Sequence, residues 1–208
     1  MRSRVFLLLS IVAAAAVLAL TQLIGNNYVF FAGYVVLQFV VLAIAWNILG
    51  GYCGYVNFGS AAFFALGAYT SVFFHKTYQL PIPLLMLGLA VIATVTSRKI
   101  ERSRLGYGFA TIRDDELAAE AAGVPTLRLK LIATTLSGAL MGMAGAPFPY
   151  YIGYLEPSSA FGLAYAVNSI AMPMIGGTGT WIGPLVGALL LGTIQQVATV
   201  TISSAVTC

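Results

Sequence analysis

A few uncharged polar side chains lie inside long apolar stretches of this sequence. Asn57, Ser60 and Tyr69 share one stretch with several glycines, and Asn168 lies in a second that runs into a glycine-rich segment at 176–183. A buried amide or hydroxyl needs a hydrogen-bond partner. Unwound backbone inside a membrane is tolerated only where protein or a water-filled cavity satisfies it. We therefore expect these four residues to line a path for a solute. For the glycines, close helix packing is the alternative.

Motifs for other kinds of chemistry are absent from the 208 residues. No G-x-x-x-x-G-K-[ST] phosphate loop occurs, so an ATP site is expected on a separate chain. The apolar stretches hold no paired carboxylates, histidine clusters or nucleophile motifs, which argues against an enzyme. They also hold no charge, which an ion-coupled carrier usually needs within its pathway. Cys53 and Cys208 indicate neither a disulfide framework nor a metal site, and no cofactor is predicted.

The composition is typical of a membrane protein. Hydrophobic residues make up 60% of the chain and charged residues only 8%, against roughly 25% charged residues in soluble domains. Twelve of the sixteen charged residues (10 Lys or Arg and 6 Asp or Glu) lie between positions 98 and 130. The net charge of +4 therefore forms no basic face that could neutralise a run of phosphates, which excludes nucleic acid as a partner.

Apolar runs near the length that crosses a bilayer as a helix predict about six or seven spans. We therefore predict an all-α membrane protein, a polytopic transmembrane helical bundle that forms a single domain over residues 1–208. The first run follows MRSR and also resembles a signal peptide, but it continues to Ile24 and is predicted to remain as a span. The sixth is short and holds Asn168 and Pro173. The predicted spans are 5–24, 28–49, 56–74, 81–96, 131–151, 161–175 and 183–200.

Basic residues predict the orientation, because Lys and Arg in short loops mark the cytoplasmic side of a membrane. Arg2 and Arg4 place the N-terminus inside, and the basic residues of the 98–130 loop are a second inside marker. The predicted spans between the two markers are even in number, as two markers on one side require. The loop 154–159, which contains Glu156, is then expected to be external.

Within the 98–130 loop, residues 111–122 read TIRDDELAAEAA. Early acidic residues favour the helix dipole, and Gly123 followed by Pro125 is a stop signal, so the segment predicts a helix. Charged segments often form only a solvated face. A short amphipathic helix held between two spans, with a small face of Ala118, Ala119 and Ala122, is better suited to docking onto a soluble partner.

Three stretches of the chain resemble LivM-type permeases, the membrane subunits of bacterial branched-chain amino-acid ABC importers. The first is SRLGYGFATIRDDELAAEAAGVPTLRLKL at 103–131. The second is GYCGYVNFGSAAFFALGAYTSVFF at 51–74, and the third is LSGALMGMAGAPFPYYIGYLEPSSAF at 136–161, leading to MIGGTGTWIGPLVGALL at 174–190. They follow the family's order and cover about half the chain.

The resemblance implies that the 98–130 loop is cytoplasmic and carries a coupling helix. ABC importers have an EAA-type motif in this loop, with two alanines and then a glycine after three further residues. Ala118, Ala119 and Gly123 occupy those positions, and Leu117 stands where many families have glutamate. The residues expected to couple to the ATPase are therefore Arg113, Asp114, Asp115, Glu116, Ala118, Ala119 and Gly123.

The same resemblance implies a permease domain in the bacterial inner membrane, with its N-terminus in the cytoplasm. Its partners would be ABC ATPase subunits, a second homologous permease subunit and an external solute-binding protein, and its solute a branched-chain or similar small amino acid. Permeases for urea or short amides look similar, so that alternative stays open. Typical members are longer and carry extra spans between the positions of Phe74 and Arg98, so the chain resembles a shortened member. A non-transporting assembly or remnant subunit is thus a further alternative.

Overall fold

A computed structural model describes residues 27–74, 82–153 and 156–206 of the chain, and all regular structure within these ranges is helical. The predicted all-α membrane fold is confirmed. The predicted span 5–24, the basic residues Arg2 and Arg4, and part of the predicted external loop lie outside the described residues. The helices are α1 Asn27–Asn47, α2 Ser60–Phe74, α3 Ile82–Glu101, α4 Arg104–Asp114, α5 Glu116–Ala121, α6 Thr126–Gly145, α7 Phe148–Ile152, α8 Pro157–Ala160, α9 Leu163–Gly176 and α10 Ile182–Val206.

Helix α1 forms the centre of the bundle and contacts α3, α6, α9 and α10. Six consecutive residues from Val40 to Ala45 are almost completely buried, so every face of this helix is covered by protein. A helix that is hydrophobic all round belongs in an interior. It continues into a π-helical segment, Ile48–Tyr52, which contains Gly50 and Gly51. Single π-helical turns are rare and are frequently found at functional sites.

Helices α2 and α6 pack closely because glycines lie at their contact. A Cβ atom on Gly67 would overlap the carbonyl of Gly142, and one on Gly145 would overlap the carbonyl of Phe64. Small residues allow such backbone approach between membrane helices. For Gly67, the packing alternative is the one that the structure supports.

Within the described residues, the number of long apolar helices is lower than the six predicted spans that fall there. Four stretches of the described chain are long and apolar enough to cross a membrane: Tyr28–Tyr52, Thr126–Ile152, Pro157–Gly176 and Ile182–Ile202. The predicted span 56–74 begins only at Ser60, which leaves a helix of 15 residues. Helix α3 ends with Arg98, Lys99 and Glu101, so its uncharged part is shorter than a typical span.

The helix predicted over residues 111–122 is broken into two. Asp115 adopts an extended conformation (φ −160°, ψ 112°) between α4 and α5, and its side chain accepts a hydrogen bond from the backbone N–H of Ala118. Aspartate competes for local backbone donors in this way, so it begins a new helix more readily than it continues one. The predicted stop is confirmed, because α5 ends at Ala121 and Gly123 has a positive φ of 82°.

Candidate functional site

Asn57 lies in the irregular segment that leads into α2 and is 8% exposed. Its side-chain oxygen accepts a hydrogen bond from the backbone N–H of Gly59 at 2.9 Å, and its backbone oxygen accepts one from the indole N–H of Trp46 at 3.1 Å. Its amide nitrogen faces only the sulfur of Met141, at 3.7 Å. The acceptor therefore helps to start α2, while the donor has a weak partner and retains the capacity to bind a solute.

Ser60 is fully buried and joins α2 to α9. The hydroxyl of Ser169 lies 3.0 Å from that of Ser60, and it also lies 2.7 Å from the backbone oxygen of Ala166. Ser169 was not predicted from the sequence, because a serine within an apolar run gives no signal until its helix face is known. The hydroxyl of Ser137, on α6, is buried without a hydrogen-bond partner. The interior between α1, α2, α6 and α9 is thus lined in places by neutral polar groups.

The other two predicted path residues lie apart from this interior. The side-chain oxygen of Asn168 accepts a hydrogen bond from the amide of Gln195 on α10, at 3.1 Å. Tyr69 is exposed, and its ring centroid lies 6.3 Å from that of Phe161. The structure therefore brings Asn57 and Ser60 together with Ser169 rather than with Asn168. A solute path along all four residues remains a prediction.

The two glycine-rich segments of the sequence meet where the π-helical segment touches the loop between α9 and α10. The amide of Asn47 donates to the backbone oxygen of Thr180 at 3.0 Å and accepts from the backbone N–H of Gly179 at 3.3 Å. A Cβ atom on Gly51 would collide with this amide and approach the nitrogen of Gly179 to 2.9 Å. Backbone therefore packs directly on backbone at this junction.

Charged residues from the end of α3 reach the same junction. A carboxylate oxygen of Glu101 accepts hydrogen bonds from the backbone N–H of Trp181 at 2.8 Å and from the hydroxyl of Tyr52 at 3.3 Å. The guanidinium of Arg98 lies 5.1 Å from the centroid of the Trp181 ring, and Arg98 is only 8% exposed. The sequence places both charges in a polar loop, and only the fold turns them toward the bundle.

Glu116 connects the 98–130 loop to the bundle. At the start of α5 it forms an ion pair with Lys130 of α6, and it accepts a hydrogen bond from the hydroxyl of Tyr55. The ammonium of Lys130 also lies 4.6 Å from the centroid of the Tyr55 ring. The hydrogen bond from Lys130 is the main reason why the pKa of Glu116 lies below its usual value. This carboxylate is therefore directed toward α6 and Tyr55.

The exposed face of α5 differs from the predicted face of Ala118, Ala119 and Ala122. Ala119 is only 5% exposed and is covered by its own chain, whereas Ala118 and Ala122 are exposed. Leu117 is 79% exposed, although it is large and apolar. The open face of the helix is therefore formed by Leu117, Ala118 and Ala121, and the predicted place of Ala119 on this face is wrong.

The remaining predicted coupling residues lie beside α5. The guanidinium of Arg113 donates to the backbone oxygen of Gly51 at 3.2 Å and pairs with Asp114 at 3.5 Å. Asp114 and Asp115 are exposed. Within the described residues, no cluster of His, Cys, Asp or Glu could hold a metal ion.

A cavity of about 550 Å³ lies near the start of α1, between α1, α3 and α10. Its walls are mostly apolar and include Tyr28, Leu37, Leu87, Leu189 and Val197, and no charged residue lines it. None of the predicted path residues contributes to it. Its few polar lining groups are uncharged and include Tyr34, Thr193 and Gln196.

Comparison with known families settles the class of protein. A family model described as the permease component of branched-chain amino acid transport systems matches residues 89–207. The chain belongs to this family. Three similar proteins are the high-affinity branched-chain amino acid permease LivM of Escherichia coli K12, the autoinducer 2 import permease LsrC of an Enterobacter species and the ribose import permease RbsC of Bacillus subtilis.

The matches to these three proteins are partial. LivM is 32% identical over 108 residues, which are 52% of this chain and 25% of LivM. LsrC is 32% identical over 117 residues (53% of this chain, 34% of LsrC), and RbsC is 31% identical over 124 residues (56% and 37%). The chain therefore spans only about a quarter to two fifths of the length of these relatives. No solved structure matches it.

Proposed function

We propose that this protein is the membrane-spanning permease subunit of an ABC importer in a bacterial inner membrane. The observation that carries the proposal is the construction of the 98–130 loop, which we call the coupling loop. Helix α5 exposes a small apolar face at Leu117 and Ala118, while Glu116 ties its inner side to Lys130 and Tyr55. A helix exposed on one side and anchored on the other can receive a push from a soluble partner and transmit it to the membrane helices.

The proposed partners follow from this arrangement and from the family. The soluble partner is an ABC ATPase, which docks on α5 and supplies the nucleotide site that the sequence lacks. A second homologous permease subunit completes the wall of the path, and an external binding protein delivers the solute. The exposed apolar residues of α10, such as Ile194, Val197 and Ile202, are suited to contact with lipid.

For the solute we propose a branched-chain or similar small amino acid. The residues around Asn57, Ser60 and Ser169 offer amide and hydroxyl groups but no charge. Such groups hold a zwitterion weakly, together with the partial charges of exposed helix ends, and weak holding is sufficient when a binding protein supplies the affinity. Neutral polar groups also suit urea, short amides or sugars. The similarity to a ribose permease supports such uncharged solutes as the second candidate.

The test is co-expression of the chain with the ATPase, permease and binding-protein genes that neighbour it. Co-purification with the ATPase, followed by ATP-dependent uptake of radiolabelled leucine but not ribose or urea into membrane vesicles, is the expected result. Uptake of ribose or urea instead would replace the proposed solute. Co-purification without uptake of any of them would favour a non-transporting assembly subunit.

A further inference from the structure

The loop between α9 and α10, residues 177–181, is held against the π-helical segment by side chains from several helices. We call these residues the glycine loop. Asn47 is completely buried, and both ends of its amide bind the backbone of this loop, at Gly179 and Thr180. Neither bond involves a side chain of the loop, so Asn47 holds the backbone of the loop in place.

The close approach requires glycine on both sides. Gly51 has no room for a Cβ atom beside Asn47 and Gly179. In the loop, Gly177 and Gly179 have positive φ values of 101° and 85°, which other residues rarely adopt. The two segments are therefore in close contact at Gly51 and Gly179. Separating them requires the bonds of Asn47 to the loop to break, together with those by which Glu101 joins Trp181 to Tyr52.

Arg113 links this junction to the coupling loop. Its guanidinium donates to the carbonyl of Gly51, and the same group lies about 3 Å from where a Cβ of Gly179 would be. Arg113 stands in the last turn of α4, immediately before Asp114, Asp115 and α5. A movement of α5 would therefore pull on the π-helical segment at the point where the glycine loop rests.

We propose that Asn47 is a latch that holds the glycine loop on the π-helical segment, and that movement of α4 and α5 releases it through Arg113. In the conformation described here, the latch closes the end of the bundle that carries the coupling loop. Release separates the two glycine-rich segments and opens this end toward Asn57 and Ser60. The latch rests on the proposed function in one respect only, because ATP-driven movement of α5 supplies the release.

Cys53 provides a native reporter of this opening. It directly follows the π-helical segment and is 0% exposed. The rate at which N-ethylmaleimide labels it would be measured in the reconstituted complex, in a Cys208→Ser background. We expect slow labelling without nucleotide, faster labelling during ATP turnover, and in Asn47→Ala fast labelling without nucleotide. Asn47→Ala should raise the labelling rate without nucleotide roughly tenfold, as expected for the loss of one or two neutral hydrogen bonds.

Two further variants separate a latch from a general loss of stability. Gln38→Ala removes another buried amide of α1, which bonds Tyr34 and the carbonyl of Ala144 rather than the glycine loop, and it should label at the background rate. Arg113→Met removes the hydrogen bond to the Gly51 carbonyl but keeps the Cβ and Cγ atoms that pack against Gly54, and it should label faster without nucleotide.

The outcomes are distinct. Equal labelling of Asn47→Ala and the background protein, or equal acceleration by Gln38→Ala, would overturn the latch. If Asn47→Ala fails to fold, the labelling rate of Arg113→Met decides in the same way. If Asn47→Ala and Arg113→Met both label faster but ATP does not change the labelling rate of the background protein, the latch is supported and its ATP-driven release is refuted.

Discussion

Lys130 of α6 pairs with Glu116 of α5 across the turn that contains Gly123. The two helices are adjacent in the chain, yet their charged groups meet only because α5 ends at Ala121 and Gly123 reverses the backbone. Tyr55 joins the same carboxylate from the segment that leads to Asn57. The pair therefore lies between α5, on which the ATPase is proposed to dock, and the proposed solute path at Asn57.

Replacing Glu116 with glutamine should lower uptake per ATP hydrolysed, because the link from α5 to Lys130 and Tyr55 loses its charge. The folded-state pKa of Glu116 is lowered, so its ion pair is complete above the usual glutamate value of about 4.3 and is lost as pH falls through the lowered value. Wild-type coupling should thus be constant between about pH 5 and pH 8. Glu120→Gln on the same helix is the control, since glutamine can still accept from Thr126. Equal effects of both variants would refute the linkage.

Bulky substitutions on α5 should act differently on its two faces. Ala118→Trp leaves folding intact and weakens co-purification with the ATPase, because Ala118 is exposed. Ala119→Trp overpacks a buried position and should cost about 1–3 kcal/mol of stability. Thermal melting and pull-down of each variant distinguish the two effects. A stable Ala119→Trp chain that fails to bind the ATPase would restore Ala119 to the docking face.

Replacing Gly51 with alanine should destabilise the chain by about 1–3 kcal/mol, because its Cβ would collide with Asn47 and the glycine loop. Gly88→Ala in α3 is the matched control, since nothing lies within 4 Å of the place that its Cβ would take and alanine favours a helix. Melting temperatures in detergent measure both changes. A neutral Gly51→Ala would show that the junction yields easily.

Two substitutions at Asn57 separate a structural role from a path role. Asn57→Ser retains an acceptor for the N–H of Gly59 but removes the amide donor near Met141, whereas Asn57→Ala removes both. If the amide contacts the solute, both variants reduce uptake, but only Asn57→Ala also loses about 1 kcal/mol of stability. Normal uptake by a stable Asn57→Ser chain would move the path elsewhere. Asn168→Ala, which breaks the bond from Gln195, tests the second predicted region in the same assay.

Cysteine labelling from each side of the membrane tests the predicted orientation. Leu117→Cys and Ser158→Cys introduce thiols at exposed positions of the coupling loop and of α8. The charge bias predicts that a membrane-impermeant maleimide reaches position 158 from outside intact cells and position 117 only after lysis. The reverse pattern would invert the topology.

The sequence by itself predicted that the chain lies in a membrane, that its fold is helical and that one polar loop carries most of its charges. An apolar composition with twelve of its sixteen charges in one loop indicates a membrane protein, and apolar runs near the length of a bilayer-spanning helix favour helices. Local signals also placed the stop at Gly123, because a glycine adopts the positive φ that ends a helix without the steric cost that other residues incur. The family resemblance likewise rested on short contiguous stretches of sequence, which can be recognised without any knowledge of their three-dimensional contacts.

Only the tertiary structure decided which polar residues meet. Asn47 was one of two amides in an apolar run, and its role depends on Gly179 and Thr180, more than 130 positions away. Ser169 rather than Asn168 faces Ser60, because a helix turns adjacent residues in directions about 100° apart and sequence does not fix that rotation. Ala119 was assigned to the outer face of α5 for the same reason, and Asp115 broke the predicted helix where capping outweighed continuation.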